Sequence, residues 1–167
     1  MRESFSVREL RRTDIEALLV FETENRAWFE SHIDARAPSF YSEKGVTEHI
    51  DGYLSDFAQG IWHPFVIEDS SGRIVGRANL KGIDTNAGVA EVGYRIAQSA
   101  CGQGLATHAL EHLIGQARTR WALTQLVAYV FPANAGSRKV LERCGFLPEH
   151  PLERDAVAAE RRFVRAI

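Results

Sequence analysis

Residues 89–131 confine the fold more than any other part of the chain. Val89–Ile96 reads as a strand, and residues 97–104 as a short loop with two glycines and three small residues. A strong helical stretch follows, with Ala106, Leu110, Leu113, Ile114, Ala117 and Trp121 on one face. Residues 126–131 are then apolar at every position, which predicts a strand buried on both faces.

The flanks agree with a layered α/β domain. Residues 5–10 alternate as a first strand, and Thr13-Asp14-Ile15-Glu16 fits a capping box opening a helix with Ile15, Leu18 and Leu19 at helical spacing. A second helix is expected at residues 46–57. Residues 64–68 and 73–82 read as a hairpin turning at Asp69-Ser70-Ser71-Gly72. Asp84-Thr85-Asn86-Ala87-Gly88 forms another turn. The last helix is expected at Ala135–Arg143, with Gly145 suited to a left-handed position just past its end. Arg161–Ala166 reads as a final strand, and residues 148–159 carry no assignable pattern. The order is β-α-α-β-β-β-α-β-α-β, a mixed sheet with helices on both faces.

The chain has 167 residues, 45% hydrophobic and 25% charged, which suits one globular domain over residues 1–167. No apolar run approaches the roughly 20 residues that span a bilayer, and the first residues lack a signal-peptide core. Cys101 and Cys144 are too few for a disulfide framework or a zinc cage. A net charge of -2 argues against non-specific nucleic-acid binding. The expectation is a cytoplasmic protein, monomer or homodimer, with no nucleic acid, membrane or metal among its partners. His108 and His112 are four apart on a helix but lack the His-Glu-x-x-His pattern of a metal site.

The chemistry is concentrated around the glycine loop. Gly102 and Gly104 let backbone N–H groups turn toward one point, and the helix start adds unpaired donors and a partial positive charge. That combination suits an anion, most naturally phosphate. Gly104 is followed by Leu105 rather than Lys-Ser/Thr, which excludes a P-loop. Thr107 stands where a dinucleotide fingerprint needs its third glycine.

Cys101-Gly102-Gln103-Gly104-Leu105-Ala106 resembles the Gln/Arg-x-x-Gly-x-Gly/Ala motif of the GNAT acetyltransferase superfamily, matching at Gly104 and Ala106. A second block, Asn134-Ala135-Gly136-Ser137 with Glu142-Arg143-Cys144-Gly145-Phe146, resembles that family's Asn-x-x-Ser…Glu-x-x-Gly-Phe helix. Glu91-Val92-Gly93-Tyr94-Arg95-Ile96, the Gly104–Thr107 helix start and the early Asn25-Arg26…Phe40-Tyr41-Ser42 region are similar to the RimJ/RimL branch, which acetylates protein N-termini. The resemblance covers nearly the whole chain. It implies an α/β (α+β) GNAT-like domain with a mostly antiparallel sheet, in which strands 89–96 and 126–131 splay apart to admit the pantetheine arm of acetyl-CoA.

The resemblance also implies roles. Tyr94, Arg95 and Ile96 would bond the arm through backbone groups. Cys101, Gly102, Gln103, Gly104, Leu105, Ala106 and Thr107 would hold the diphosphate, and Asn134 the pantetheine or strand end. Ser137 would hydrogen-bond the coenzyme and its leaving thiolate, and Glu91 would serve as general base. Two positions depart from the family pattern. Cys101 replaces the usual Gln or Arg, and Leu141 stands where many members carry a tyrosine general acid.

Each residue also has a structural reading. Glu91 could face solvent or pair with Arg95, Ser137 could satisfy helix N–H groups, and Asn134 could be an N-cap. Thr107 could face phosphate or the helix interior. The aromatics Trp28, Phe29, Phe40, Tyr41 and Phe57 could be core or could line an acceptor cleft. Residues 1–60 hold twelve acids and seven bases, which would attract a basic peptide or polyamine or simply form a solvated face. The acceptor alternatives are a protein or peptide α-amine and a small amine such as a polyamine, amino acid or antibiotic. A non-catalytic acyl-CoA-binding module is the third alternative.

Overall fold

The computed structural model describes residues 4–131, 134–149 and 161–167. Its strands are β1 (Ser6–Glu9), β2 (Trp62–Glu68), β3 (Ile74–Asp84), β4 (Val89–Ile96), β5 (Gln125–Val130), β6 (Leu147–Pro148) and β7 (Arg161–Ala166). Its helices are α1 (Ile15–Glu24), α2 (Arg26–Glu30), α3 (Glu43–Ala58), α4 (Leu105–Thr119) and α5 (Ala135–Arg143). The strands form one sheet in the order β1-β2-β3-β4-β5-β7-β6. Every neighbouring pair is antiparallel except β4 and β5, which run parallel.

Strand alternation divides the sheet into two covered faces. On one, Arg77 of β3 meets Glu22 of α1, and Tyr53 of α3 packs on Trp62 of β2 with ring centroids 4.9 Å apart. On the other, Phe65 of β2 meets His112 of α4. Leu18, Phe21, Ile50, Ile67, Leu80, Leu110, Leu113, Leu126, Phe146 and Phe163 are fully or almost fully buried between these layers.

Several local expectations change. The Thr13/Glu16 capping box does not form. Asp14 takes the work instead, accepting from the Arg11 amide at 2.7 Å and pairing with Arg8 at 2.8 Å, because a buried carboxylate needs a guanidinium partner. Helix α3 starts three residues earlier than expected, where the Ser42 hydroxyl accepts from Gly45 N. A short helix that the sequence pattern does not call for, α2, follows α1 at Arg26–Glu30. Helix α4 stops at Thr119, so Trp121 lies beyond it and donates to His63 at 2.9 Å. Strand β5 is not buried throughout: Tyr129 is 46% exposed.

Gly145 does take the left-handed backbone expected of it, with φ +83°. Phe146 N donates to Leu141 O and Gly145 N to Glu142 O, the paired bonds of a Schellman stop. Of the unassigned segment 148–159, Pro148 pairs with Phe163 in β7. Residues 150–160 lie outside the described residues.

Candidate active site

The β4–β5 pair is hydrogen-bonded over only three positions, Val89↔Gln125, Ala90↔Leu126 and Glu91↔Val127. Beyond Glu91, β4 continues to Ile96 and β5 to Val130 without pairing, so the two strands part. Ala97 N donates to Val75 O on the β3 side, whereas Gly88 O accepts from Gln125 N on the β5 side. Two-residue alternation therefore turns the backbone groups of Tyr94 and Ile96 into the opening and those of Gly93 and Arg95 toward β3. This corrects the expectation for Arg95, whose backbone belongs to the β3 pairing at Arg77↔Arg95.

At the wide end lies the glycine loop. Gly102 and Gly104 have φ +80° and +77°, a region where any L side chain is strained. A Cβ at either position would meet no atom within 4 Å, so backbone conformation rather than crowding calls for glycine. Gly104 is the N-cap of α4 and offers no side-chain cap; the first helical bond runs from His108 N to Gly104 O. The amides of Leu105, Ala106 and Thr107 thus have no acceptor within the helix. Leu105 sends its side chain into the core while Gly102 and Gln103 are exposed. A diphosphate fits such a cradle. Among the described residues, no group of three or more His, Cys, Asp or Glu could hold a metal ion.

Cys101 does not have the activated thiol that a helix N-terminus can produce. Its Sγ donates to Ala97 O at 3.4 Å, and burial pushes its pKa up.

The start of α5 faces the same opening. Asn134 is the N-cap, its Oδ1 accepting from Ser137 N at 3.1 Å. That leaves the Ser137 hydroxyl free of capping duty, and it bonds the Tyr94 hydroxyl at 2.9 Å. Burial raises the Tyr94 pKa, with the Ser137 bond opposing, so the phenol keeps its proton at neutral pH. Leu141 is 1% exposed and belongs to the core. The phenol beside Ser137 thus comes from β4, not from the helix where the family pattern looks for it. The sequence reading assigned Tyr94 through its backbone only and missed its hydroxyl.

Glu91 sits at the last paired position of β4, where the strands begin to part. It does not pair with Arg95, whose Nη1 donates to Glu22 at 3.0 Å. Across β3 its partner position is Lys81, whose side chain lies over Gly93.

On the Glu91 face of the sheet, the structure assembles a cluster that sequence reading did not find. Glu22 is fully buried and bonds Arg77 at 2.8 Å and Arg95 at 3.0 Å, with Arg36 at 3.5 Å. Burial alone would raise its pKa. The guanidinium groups of Arg77, Arg95 and Arg36 outweigh that and hold it below the usual carboxylate range. His49 Nε2 accepts from Arg77 at 2.8 Å. Burial first, then the same arginines, push His49 down to about 2, so it stays neutral. The aromatics serve this cluster: Phe29 stacks under Arg95 and Phe40 under Arg36, with guanidinium carbons 4.8 and 4.5 Å from the ring centres. Two signals were available. Glu22 stands four residues after Leu18 on the apolar stripe of α1, and Arg77 interrupts an apolar strand.

An opened parallel strand pair, a left-handed glycine loop and a serine-bearing helix are the three features that the sequence resemblance leads one to look for. The GNAT acetyltransferase domain model matches residues 5–147, and the chain belongs to that family. It is an acetyl-CoA-dependent N-acetyltransferase by class. A probable N-acetyltransferase, YjcK of Bacillus subtilis, is 32% identical over 145 residues, covering 86% of this chain and 80% of the relative. RimJ of Mycobacterium smegmatis, solved in complex with CoA-disulfide, superposes with a TM-score of 0.86 at 25% identity, covering 97% of this chain and 81% of that one. The ribosomal-protein-S5-alanine acetyltransferase of Vibrio fischeri superposes at 0.89 with 20% identity, covering 99% and 94%. The fold is shared with spermidine N-acetyltransferase of Vibrio cholerae, at TM-score 0.78, 21% identity and coverage of 97% and 95%.

Proposed function

We propose that this chain acetylates an α-amine, with the N-terminus of a protein or peptide as acceptor. The carrying observation is the Tyr94–Ser137 hydrogen bond beside the β4–β5 opening, with Glu91 at the root of that opening. The peptide acceptor is supported by the named activity of the Vibrio fischeri neighbour. A small-amine acceptor is the second reading, favoured by the spermidine N-acetyltransferase neighbour.

Acetyl-CoA supplies an activated thioester. The loop residues Cys101 to Thr107 hold its diphosphate, and the Tyr94 and Ile96 backbone groups hold the arm as an added strand would. Asn134 braces the start of α5. Glu91 takes a proton from the attacking amine, directly or through water. An α-amine with a pKa near 8 is about a tenth neutral at pH 7, whereas a lysine near 10.4 is far less so. The new C–N bond forms as the C–S bond breaks. Ser137, held by the Tyr94 hydroxyl, donates a hydrogen bond to the departing thiolate, which takes a proton from solvent while Glu91 returns to solvent the one it took from the amine.

Thiol release from acetyl-CoA with a panel of N-terminal peptides and small amines tests the function. Turnover with polyamines and none with peptides would refute the peptide reading. Ser137→Ala is expected to lower kcat by about 10- to 100-fold, the worth of a hydrogen bond to a charged group, with a smaller effect on KM for acetyl-CoA. An effect on KM alone would demote Ser137 to a binding residue. Glu91→Gln is expected to lower kcat at neutral pH by about 100-fold or more, the usual worth of a positioned general base; an unchanged kcat would remove Glu91 as base.

A further inference from the structure

Three guanidinium groups share one carboxylate in the Glu22 cluster, and His49 adds no charge to balance them. The formal charge of the group is thus +2. Glu24 and Glu30, on α1 and α2, pair elsewhere, with Arg73 and Arg26. An excess charge half out of water is costly unless a counter-ion answers it. The surplus also has an outlet. Arg77 is 3% exposed, but Arg36 and Arg95 keep 23% and 22% of their side chains at the surface. Among the described residues, Arg36 Nε is buried without a hydrogen-bond partner. Burial lowers the Arg95 pKa to about 10, with Arg36 and Arg77 adding to the fall and Glu22 resisting it, as expected of a cation whose neighbours are mostly cations.

Position gives this surplus a purpose. Arg95 lies on β4 between Tyr94 and Ile96, whose backbone groups face the opening, and its side chain shares a sheet face with Glu91. The glycine loop and the α4 start, where the diphosphate is assigned, belong to the helix covering the opposite face. Lys81, over Gly93, extends the positive strip toward Glu91.

We propose that Arg36 and Arg95 form an anion subsite for the acceptor, which carries a carboxylate a few atoms from its reacting amine. This deepens, and rests on, the α-amine reading above. Two acceptor forms share that chemistry: a peptide with Asp or Glu just after its first residue, and a free amino acid through its α-carboxylate. A guanidinium fork matches a carboxylate bidentately. A polyamine brings further positive charge to an already positive strip. The acidic surplus of residues 1–60 as a count is therefore a poor guide to the acceptor, because the local field here has the opposite sign.

The test uses thiol release at saturating acetyl-CoA with two matched pairs. One pair is Ser-Asp and Ser-Asn peptides of otherwise identical sequence; the other is a free amino acid and its amide. The acidic member of at least one pair is expected to have a kcat/KM at least about tenfold higher, through KM for the acceptor. Arg36→Gln narrows that preference and Arg36→Lys restores part of it. Equal kcat/KM within both pairs for the wild type overturns the subsite while leaving acetyl transfer to α-amines standing. A preference confined to the amino-acid pair, with no peptide accepted, supports the subsite and refutes the peptide acceptor. Turnover of polyamines alone refutes both. An Arg36→Gln penalty that falls on KM for acetyl-CoA assigns the cluster to the coenzyme and overturns the proposal. The wild-type comparison decides the matter even if the variants do not fold.

Discussion

Gly104→Glu is expected to abolish binding of acetyl-CoA. Two costs arise. Position 104 has φ +77°, so a residue with a Cβ carries roughly 1–2 kcal/mol of left-handed strain. The larger cost is electrostatic. The new carboxylate would stand at the first turn of α4, where the amides of Leu105, Ala106 and Thr107 concentrate positive potential, and would compete with the diphosphate for it. Calorimetric titration with acetyl-CoA checks this, with Gly104→Ala as the control that carries the strain without the charge. The glutamate variant is expected to lose binding by about 100-fold or more, and the alanine variant far less, because its strain is present with or without coenzyme and falls on folding stability. Equal affinities for wild type and Gly104→Glu would refute the loop assignment.

Glu22→Ala is expected to destabilise the fold by about 3–5 kcal/mol. It removes the one carboxylate that Arg77, Arg95 and Arg36 share and leaves Arg77, 3% exposed, without its charged partner. For a chain of this size that is a fall in Tm on the order of 10 °C. The linkage sign follows from the depressed pKa of Glu22. Its contribution is fully present above the ordinary carboxylate value and is lost as pH falls through the lowered folded value. Urea unfolding at pH 7 and at pH 3 checks both parts, since the gap between wild type and variant is expected to shrink in acid. A gap that widens in acid would mean the carboxylate is not held ionised.

Most of the frame was legible because each element carries its own local signal. The bounds of β4, α5 and β7 coincide with those read from pattern, and Gly145 takes the backbone its position requires. The parting of β4 from β5 came from family resemblance, not from periodicity, since nothing in an alternating strand says where its neighbour leaves it. Failures share a physical cause: they depend on which distant side chain arrives. Asp14 displaces Thr13 at the first helix because Arg8 is there to pair with it. Tyr94 reaches Ser137 across 43 positions of chain, and Glu22 reaches Arg95 across 73. Pattern reading sees neighbours at two, three or four residues and has no access to these separations.

The short β4–β5 seam has a thermodynamic corollary. On the proposed reading, coenzyme along the open β4 edge would complete it, and folding would then be linked to coenzyme by mass action. Coenzyme at a hundred times its dissociation constant would add about 2.7 kcal/mol to the folded state.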